Sequence, residues 1–212
     1  LEKSVKKLAE EYGMRVVGPN CVGTLDVRSG LNSTFIKGVP AAGPIAFISQ
    51  SGAIRGGVID LIVDSNIGFS HIASLGNMMD VTETDMLEYF AMDENVKVIA
   101  MYVEGLSDGQ RFMKVVREVS KKKPIVFLKA GKNDAGAKAV SSHTGSLAGS
   151  YAAYQSALRQ AGVVEVSTIN ELFNLAWALG SQPVPRGKRV AITTNAGGAA
   201  ALAADSLDFN GF

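Results

Sequence analysis

Apolar positions along the chain follow two periods that replace one another in turn. Between Pro44 and Gly180, runs of strand length occur at Ile45–Ile48, Phe69–Ser74, Val98–Val103, Ile125–Leu128 and Val163–Val166. Segments of helical period separate or follow them, at Ile54–Asp64, Thr84–Met92, Gly109–Ser120, Gly149–Gln160 and Ile169–Leu179. Parallel strands need a crossover between them, and a helix is the usual one. The strands are apolar at successive positions rather than alternate ones, as a sheet covered on both faces requires. The pattern therefore predicts an α/β fold, a flavodoxin-like doubly wound parallel sheet of five strands in the order 2-1-3-4-5.

The two ends read differently. Leu1–Gly13 has the stripe of an amphipathic helix (Val5, Leu8, Tyr12), Arg15–Val17 suggests a short strand, and a Gly18-Pro19-Asn20-Cys21 turn follows. A lone helix and strand cannot bury their own faces, so these residues are expected to belong to a sheet completed elsewhere. At the far end Pro183–Gly187 reads as a linker, Arg189–Thr194 as a strand and Gly198–Leu207 as a helix. The expected layout is residues 1–37 ending one domain, 38–182 forming a complete one, 183–187 linking, and 188–212 opening a further α/β unit. The whole reads as the middle of a longer protein.

Charge and composition narrow the function classes. With 21 Lys+Arg against 20 Asp+Glu the formal net charge is +1, which gives no electrostatic reason to expect nucleic acid or an anionic membrane as partner. No apolar run reaches membrane-spanning length. The single cysteine, Cys21, excludes an intramolecular disulfide and fits a reducing, cytoplasmic setting. Neither clustered Cys/His nor an H-x-x-x-H pattern appears, so no metal site is expected.

Ligands of doubly wound sheets bind at the carboxyl edge, near the point where strand order reverses. The first strand is followed there by Ser49-Gln50-Ser51-Gly52-Ala53, the second by Leu75-Gly76-Asn77, the third by Glu104-Gly105, and the fourth by Lys129-Ala130-Gly131. After the fourth comes a long connection ending in Ser142-His143-Thr144-Gly145-Ser146. The Ser-Gly segment suits either a phosphate at a helix N-terminus or an ordinary serine cap. It is no Walker loop, and Ile48 stands where the first glycine of G-x-S-x-G would fall. Thr193–Gly198 repeats the strand, small loop, helix design. His143, in its Ser/Thr/Gly setting, is a candidate nucleophile or proton shuttle, the alternative being a solvated loop histidine. Glu104 could orient it, or be a surface carboxylate at a strand end. His71, inside the second strand, reads as a packing residue.

Taken in order, Gly18-Pro19-Asn20-Cys21-Val22-Gly23, Ser49–Ala53, Ser74-Leu75-Gly76-Asn77, Glu104-Gly105, Ser142–Gly149 and Thr194–Gly198 resemble the ADP-forming (NDP-forming) acyl-CoA synthetases, relatives of the succinyl-CoA synthetase alpha subunit. The resemblance implies a CoA-binding Rossmann-type domain ending near residue 37, a flavodoxin-like domain carrying a phosphohistidine at His143, and an ATP-grasp subunit or domain as partner. The residues themselves support that chemistry, since Glu104 at the end of the third strand can hold the other ring nitrogen of His143. Phosphate contacts would come from Ser49, Gln50, Ser51, Gly52, Ala53, Thr144 and Gly145, and contacts to CoA or substrate from Asn20, Cys21, Gly76 and Asn77. The implied reaction converts acyl-CoA, phosphate and ADP into acid, CoA and ATP. The implied cofactors are CoA, phosphate, and ADP or ATP with magnesium, the nucleotide and metal being bound mainly by other portions. A hetero- or homo-oligomer is expected. Two alternatives are a non-catalytic acyl-CoA sensing module of a fused protein acetyltransferase and a flavin binder, the latter weakened by an aromatic content of only 7%.

Overall fold

The computed structural model describes residues 1–36, 38–51, 67–133, 135–138, 151–185 and 187–211. Seven strands form one sheet: β1 (Gly23–Asp26), β2 (Leu31–Asn32), β3 (Ala42–Ser49), β4 (Phe69–Ser74), β5 (Val98–Val103), β6 (Ile125–Lys129) and β7 (Val164–Val166), in the order β2-β1-β4-β3-β5-β6-β7. From β4 to β7 every pairing is parallel, and within this stretch the order is 2-1-3-4-5, as the apolar runs predict. The strand bounds agree with the sequence to within a few residues, because fully buried strands show as unbroken apolar runs. The predicted helix at Ile54–Asp64 lies outside the described residues.

Successive residues of each strand serve opposite faces, as the pleat demands. Ile45, Phe47, Val98, Ala100, Val126 and Leu128 join one buried cluster, with Leu172, Phe173 and Ala176 of a covering helix (Ile169–Ser181). Ala46, Ile48, Ile99, Met101, Ile125 and Phe127 join the other, against Leu87, Phe90, Phe112, Val116 and Leu158. Side chains such as Phe47, Phe112 and Phe127 are fully buried, each worth about 1.5–3 kcal/mol of transfer free energy.

The described helices are α1 (Glu2–Glu11), α2 (Glu83–Met92), α3 (Gly109–Val119), α4 (Tyr151–Gln160), α5 (Ile169–Ser181) and α6 (Gly197–Phe209). Local chemistry sets several starts. Thr82 and Asp85 make a reciprocal capping box on α2, Asp108 accepts from the N–H groups of Gln110 and Arg111 on α3, and Thr168 accepts from Glu171 N–H on α5.

Two expectations are corrected. Arg15–Val17 is not a strand. It runs beside the α2 entry instead, where Val81 N–H donates to Val16 O at 3.0 Å and Asp80 takes Arg15 Nε at 2.9 Å and Val16 N–H at 2.7 Å. These lone contacts satisfy the backbone without a ladder. Beyond the turn, β1 pairs antiparallel with β4, Gly23 against Ser74 through Asp26 against His71, and β2 pairs with β1, an extension of the sheet that the apolar runs do not predict. Arg189–Thr194 is not a strand either, since no described strand lies alongside to complete its hydrogen bonds. The chain divides into two compact units, Leu1–Gln182 and Pro183–Phe212. The second unit contributes α6, entered through an Ala196 N–H bond to Thr194 Oγ1 at 3.0 Å.

Candidate functional site

A cleft of about 290 Å³ opens at the carboxyl edge of the sheet, lined by Gln50, Gly76, Asn77, Met78, Glu104, Gly105, Leu106 and Ser107. It lies where β3, β4 and β5 end side by side, with Ser49 in register with Ser74 and with Tyr102. This is the switch point at which the strand order reverses. The structure thus brings Gln50, Gly76, Asn77 and Glu104 of the expected residues into one wall. His143, Gly52, Ala53, Thr144 and Gly145 lie outside the described residues.

Gln50 follows β3 and faces the segment after β5. Its Oε1 accepts from the N–H groups of Glu104 at 2.8 Å and Gly105 at 3.0 Å. Its Nε2 donates to Gly105 O at 2.6 Å and, more loosely, to Glu83 Oε2 at 3.5 Å. A primary amide has two donors and two acceptor positions, and all four are engaged within the protein. The expected phosphate contact is therefore not made by this carboxamide in its present arrangement. Gln50 N–H is also taken, by Tyr102 O at 3.2 Å.

Ser49 is buried, and its Oγ accepts from Ser51 N–H at 3.2 Å. Its carbonyl accepts from Leu75 N–H at 2.8 Å, which fastens the end of β3 to the loop after β4. Ser51 is buried beside it.

Glu104 is buried, 7% exposed, at the first position past β5. Behind it Lys129, the last residue of β6, donates its Nζ to Glu104 O at 2.7 Å and also to Ala130 O. That ammonium lies 5.2 Å from the centre of the Tyr154 ring. Burial pulls the Lys129 pKa below the ordinary lysine range, and the Glu104 carboxylate works against that fall.

Sequence reasoning missed Glu83, whose side chain is fully buried in the first turn of α2. Its Oε1 accepts from Ser107 N–H at 3.2 Å and Thr84 Oγ1 at 3.4 Å, and its Oε2 accepts from Ser107 Oγ at 3.3 Å. Burial pushes its carboxyl above the ordinary glutamate range, while these hydrogen bonds and the backbone N–H at the helix start oppose the rise. A signal was present: Glu83, Leu87 and Phe90 share one buried stripe of α2 at spacings of four and three.

The Gly18–Asn20 turn is fastened to the cleft from outside. Asn77 N–H donates to Pro19 O and Met79 N–H to Gly18 O, both at 2.9 Å, and Asn20 Nδ2 reaches Asn77 Oδ1 at 3.3 Å. Gly76 has φ +56°, and a Cβ there would lie 2.2 Å from Pro19 O. Only glycine permits this approach. Asn20 thus touches the site through Asn77. Cys21 does not line the cleft, and its Sγ is 3.8 Å from Val17 O.

A doubly wound sheet, parallel from β4 to β7, with a polar cleft at its switch point defines a flavodoxin-like domain. The profile of the succinyl-CoA ligase-like flavodoxin domain matches residues 42–179, and the chain belongs to that family. It is 49% identical over 210 residues to the alpha subunit of ADP-forming acetate–CoA ligase II of Pyrococcus furiosus, covering 99% of this chain and 46% of that one. It is 44% identical to the ADP-forming 4-hydroxybutyrate–CoA ligase of Nitrosopumilus maritimus, over 97% of this chain and 30% of the relative. Among solved structures it resembles acetyl-coenzyme A synthetase 1 of Ca. Korarchaeum cryptofilum in complex with phosphate and ADP, with TM-score 0.93 and 42% identity, covering 99% of this chain and 46% of that one. The chain spans less than half the length of each of these relatives. Among the described residues no helix is long and apolar enough to cross a membrane.

Proposed function

We propose that this chain is the phosphohistidine-bearing part of a cytoplasmic ADP-forming acyl-CoA ligase. A phosphate oxygen attacks the thioester carbonyl, the C–S bond breaks, and CoA leaves as the thiol after taking up a proton. The neutral imidazole of His143 then attacks the phosphorus of the acyl phosphate, the P–O bond to the acyl group breaks, and the acid departs. An oxygen of the ADP β-phosphate finally takes the phosphoryl group as the P–N bond breaks. Glu104 accepts a hydrogen bond from the second ring nitrogen and steadies the positive charge the imidazole gains. Asn77 lines the cleft rim, where its Nδ2 donates to Glu2 Oε1 at 2.6 Å and has a second N–H to offer a ligand.

The observation that carries this reading is the burial of Glu104 in a polar cleft at the switch point, one strand from β6, whose following connection holds His143. The two sequence relatives named above are ADP-forming ligases, and the solved synthetase holds phosphate and ADP. Among the described residues no group of three or more His, Cys, Asp or Glu side chains could hold a metal. The magnesium that accompanies the nucleotide is assigned, with the nucleotide, to an ATP-grasp domain or subunit, and no step here runs through it. Acetate and 4-hydroxybutyrate ligases are both relatives, so the acid activated is left as a small carboxylate. Partnership with the ATP-grasp portion makes the working enzyme an oligomer or a fused chain.

The test is incubation of the full-length parent with Mg-ATP, followed by mapping of acid-labile phosphate by mass spectrometry. Label on His143 that is absent from His143→Ala is expected. Label that survives the substitution would overturn the relay. No label in a parent that binds ATP would favour the acyl-CoA sensing module.

A further inference from the structure

In the cleft wall, the main-chain N–H and C=O groups of both Glu104 and Gly105 are hydrogen-bonded. The Glu104 N–H, and that of Gly105, are fixed by Gln50 Oε1, and Gly105 O is fixed by Gln50 Nε2. The Glu104 carbonyl is fixed by Lys129 Nζ. Two residues further on, Ser107 is tied through both N–H and Oγ to Glu83, whose Oε2 also faces Gln50 Nε2. These contacts join the ends of β3, β5 and β6 and the start of α2.

The arrangement goes beyond what chain continuity needs. The β5 ladder already ends at Val103, which pairs with Lys129 of β6. An ordinary strand end would turn into solvent after it. Here a carboxylate, an ammonium and a carboxamide are instead buried around two peptide groups. Burying a charge is unfavourable unless its hydrogen bonds are met, so such a set persists where position matters more than stability.

We infer that Gln50, Glu83 and Lys129 are positioning residues that hold the main chain of Glu104 in the orientation needed to meet the histidine ring. Gln50 and Lys129 act directly on the Glu104 backbone, and Glu83 acts through Gln50 and Ser107. This rests on the reading of Glu104 as the partner of His143, and it assigns the Ser49–Ala53 segment a second task besides phosphate binding.

The test is a double-substitution cycle in the full-length parent, reading the rate of His143 phosphorylation from Mg-ATP by rapid quench and ADP affinity by titration. Gln50→Ala is expected to slow phosphorylation about 10- to 100-fold, the usual effect of losing an outer-shell partner, with ADP affinity unchanged. In a Glu104→Gln background the same substitution is expected to slow it by less than about 2-fold, because residues acting as one unit are not additive. Lys129→Met, which keeps the volume of the buried stem, goes through the same cycle with the same expectation. It decides the matter if Gln50→Ala does not fold. Equal slowing in both backgrounds would show a merely structural role and overturn the inference, as would a rate within about 2-fold of wild type. Failure of the wild-type parent to become phosphorylated would overturn the relay itself, and this inference with it.

Discussion

Two polar side chains are buried beside the same pair of strands and are accommodated in opposite ways. Gln50, just past the end of β3, makes directional hydrogen bonds at every position its carboxamide offers. His71, in the middle of β4, is 7% exposed, and its Nδ1 has no hydrogen-bond partner among the described residues. Its Nε2 stands 3.7 Å from Asp26 and 3.6 Å from Asp93, beyond hydrogen-bond reach, and its ring leans on Phe90 at 5.0 Å. One group is placed by hydrogen bonds at the cleft, the other by packing under α2. Hydrogen bonds fix an orientation as well as a location, whereas packing fixes mainly volume, so the first kind belongs where an angle must be held.

Substitutions should expose this contrast as a difference in stability. Gln50→Ala leaves the buried N–H groups of Glu104 and Gly105 without acceptors, and a loss of about 3 kcal/mol is expected from urea unfolding. A loss under about 1 kcal/mol would mean that water or a neighbour replaces the amide, and the contrast would collapse.

The carboxylates sharpen it through pH. The folded-state pKa of Glu83 is raised from 4.5, so the native state holds its proton more tightly than the unfolded chain. Its contribution is most favourable below the unfolded value and is lost as pH rises through the folded one. Asp26, Asp80 and Asp85 are lowered from 3.8, chiefly by a hydrogen bond from Ser29 for Asp26 and from Arg15 for Asp80, and by Thr82 for Asp85 against an opposing effect of burial. Their contributions are present above 3.8 and fade as pH falls. Glu83→Gln is therefore expected to remove a downward trend in stability above pH 4.5, of at most about 1.4 kcal/mol per pH unit for a single proton. The check is to follow unfolding midpoints from acid to neutral pH. An unchanged trend would show that Glu83 is not the group responsible.

His71→Leu is expected to change stability by less than about 1 kcal/mol, because an apolar side chain of comparable size replaces one held by packing. A larger loss would place His71 in a hydrogen-bonded role after all. The smallest effect should come from the surface. Arg111, which reaches Asp85 at 2.9 Å and Glu88 at 2.6 Å, is expected to contribute about 0.5 kcal/mol when compared with Arg111→Ala in moderate salt.

The parallel core was legible because its strands are apolar throughout and its helices carry one-sided stripes. The antiparallel extension was not. β1 buries only Leu25 and β2 is two exposed residues, so neither leaves a periodic trace. The cleft was legible where small residues follow strands, at Gly76-Asn77 and Glu104-Gly105. The residues that hold it were harder to see. Glu83 looks like any acidic residue in a first helical turn, and Lys129 like the solvated end of a strand. Their burial depends on where β3, β5 and α2 meet, which no local pattern specifies.

The close approach of Gly76 to the Gly18–Asn20 turn carries a consequence for how such chains diverge. The turn and the loop 76–79 are more than fifty residues apart in sequence, yet the loop donates two main-chain hydrogen bonds to carbonyls of the turn and no room is left for a side chain at Gly76. A rearrangement of either backbone has to be matched by the other. A chimera that takes one segment from a relative with a different backbone there, without the other, is therefore expected to join surfaces that no longer fit.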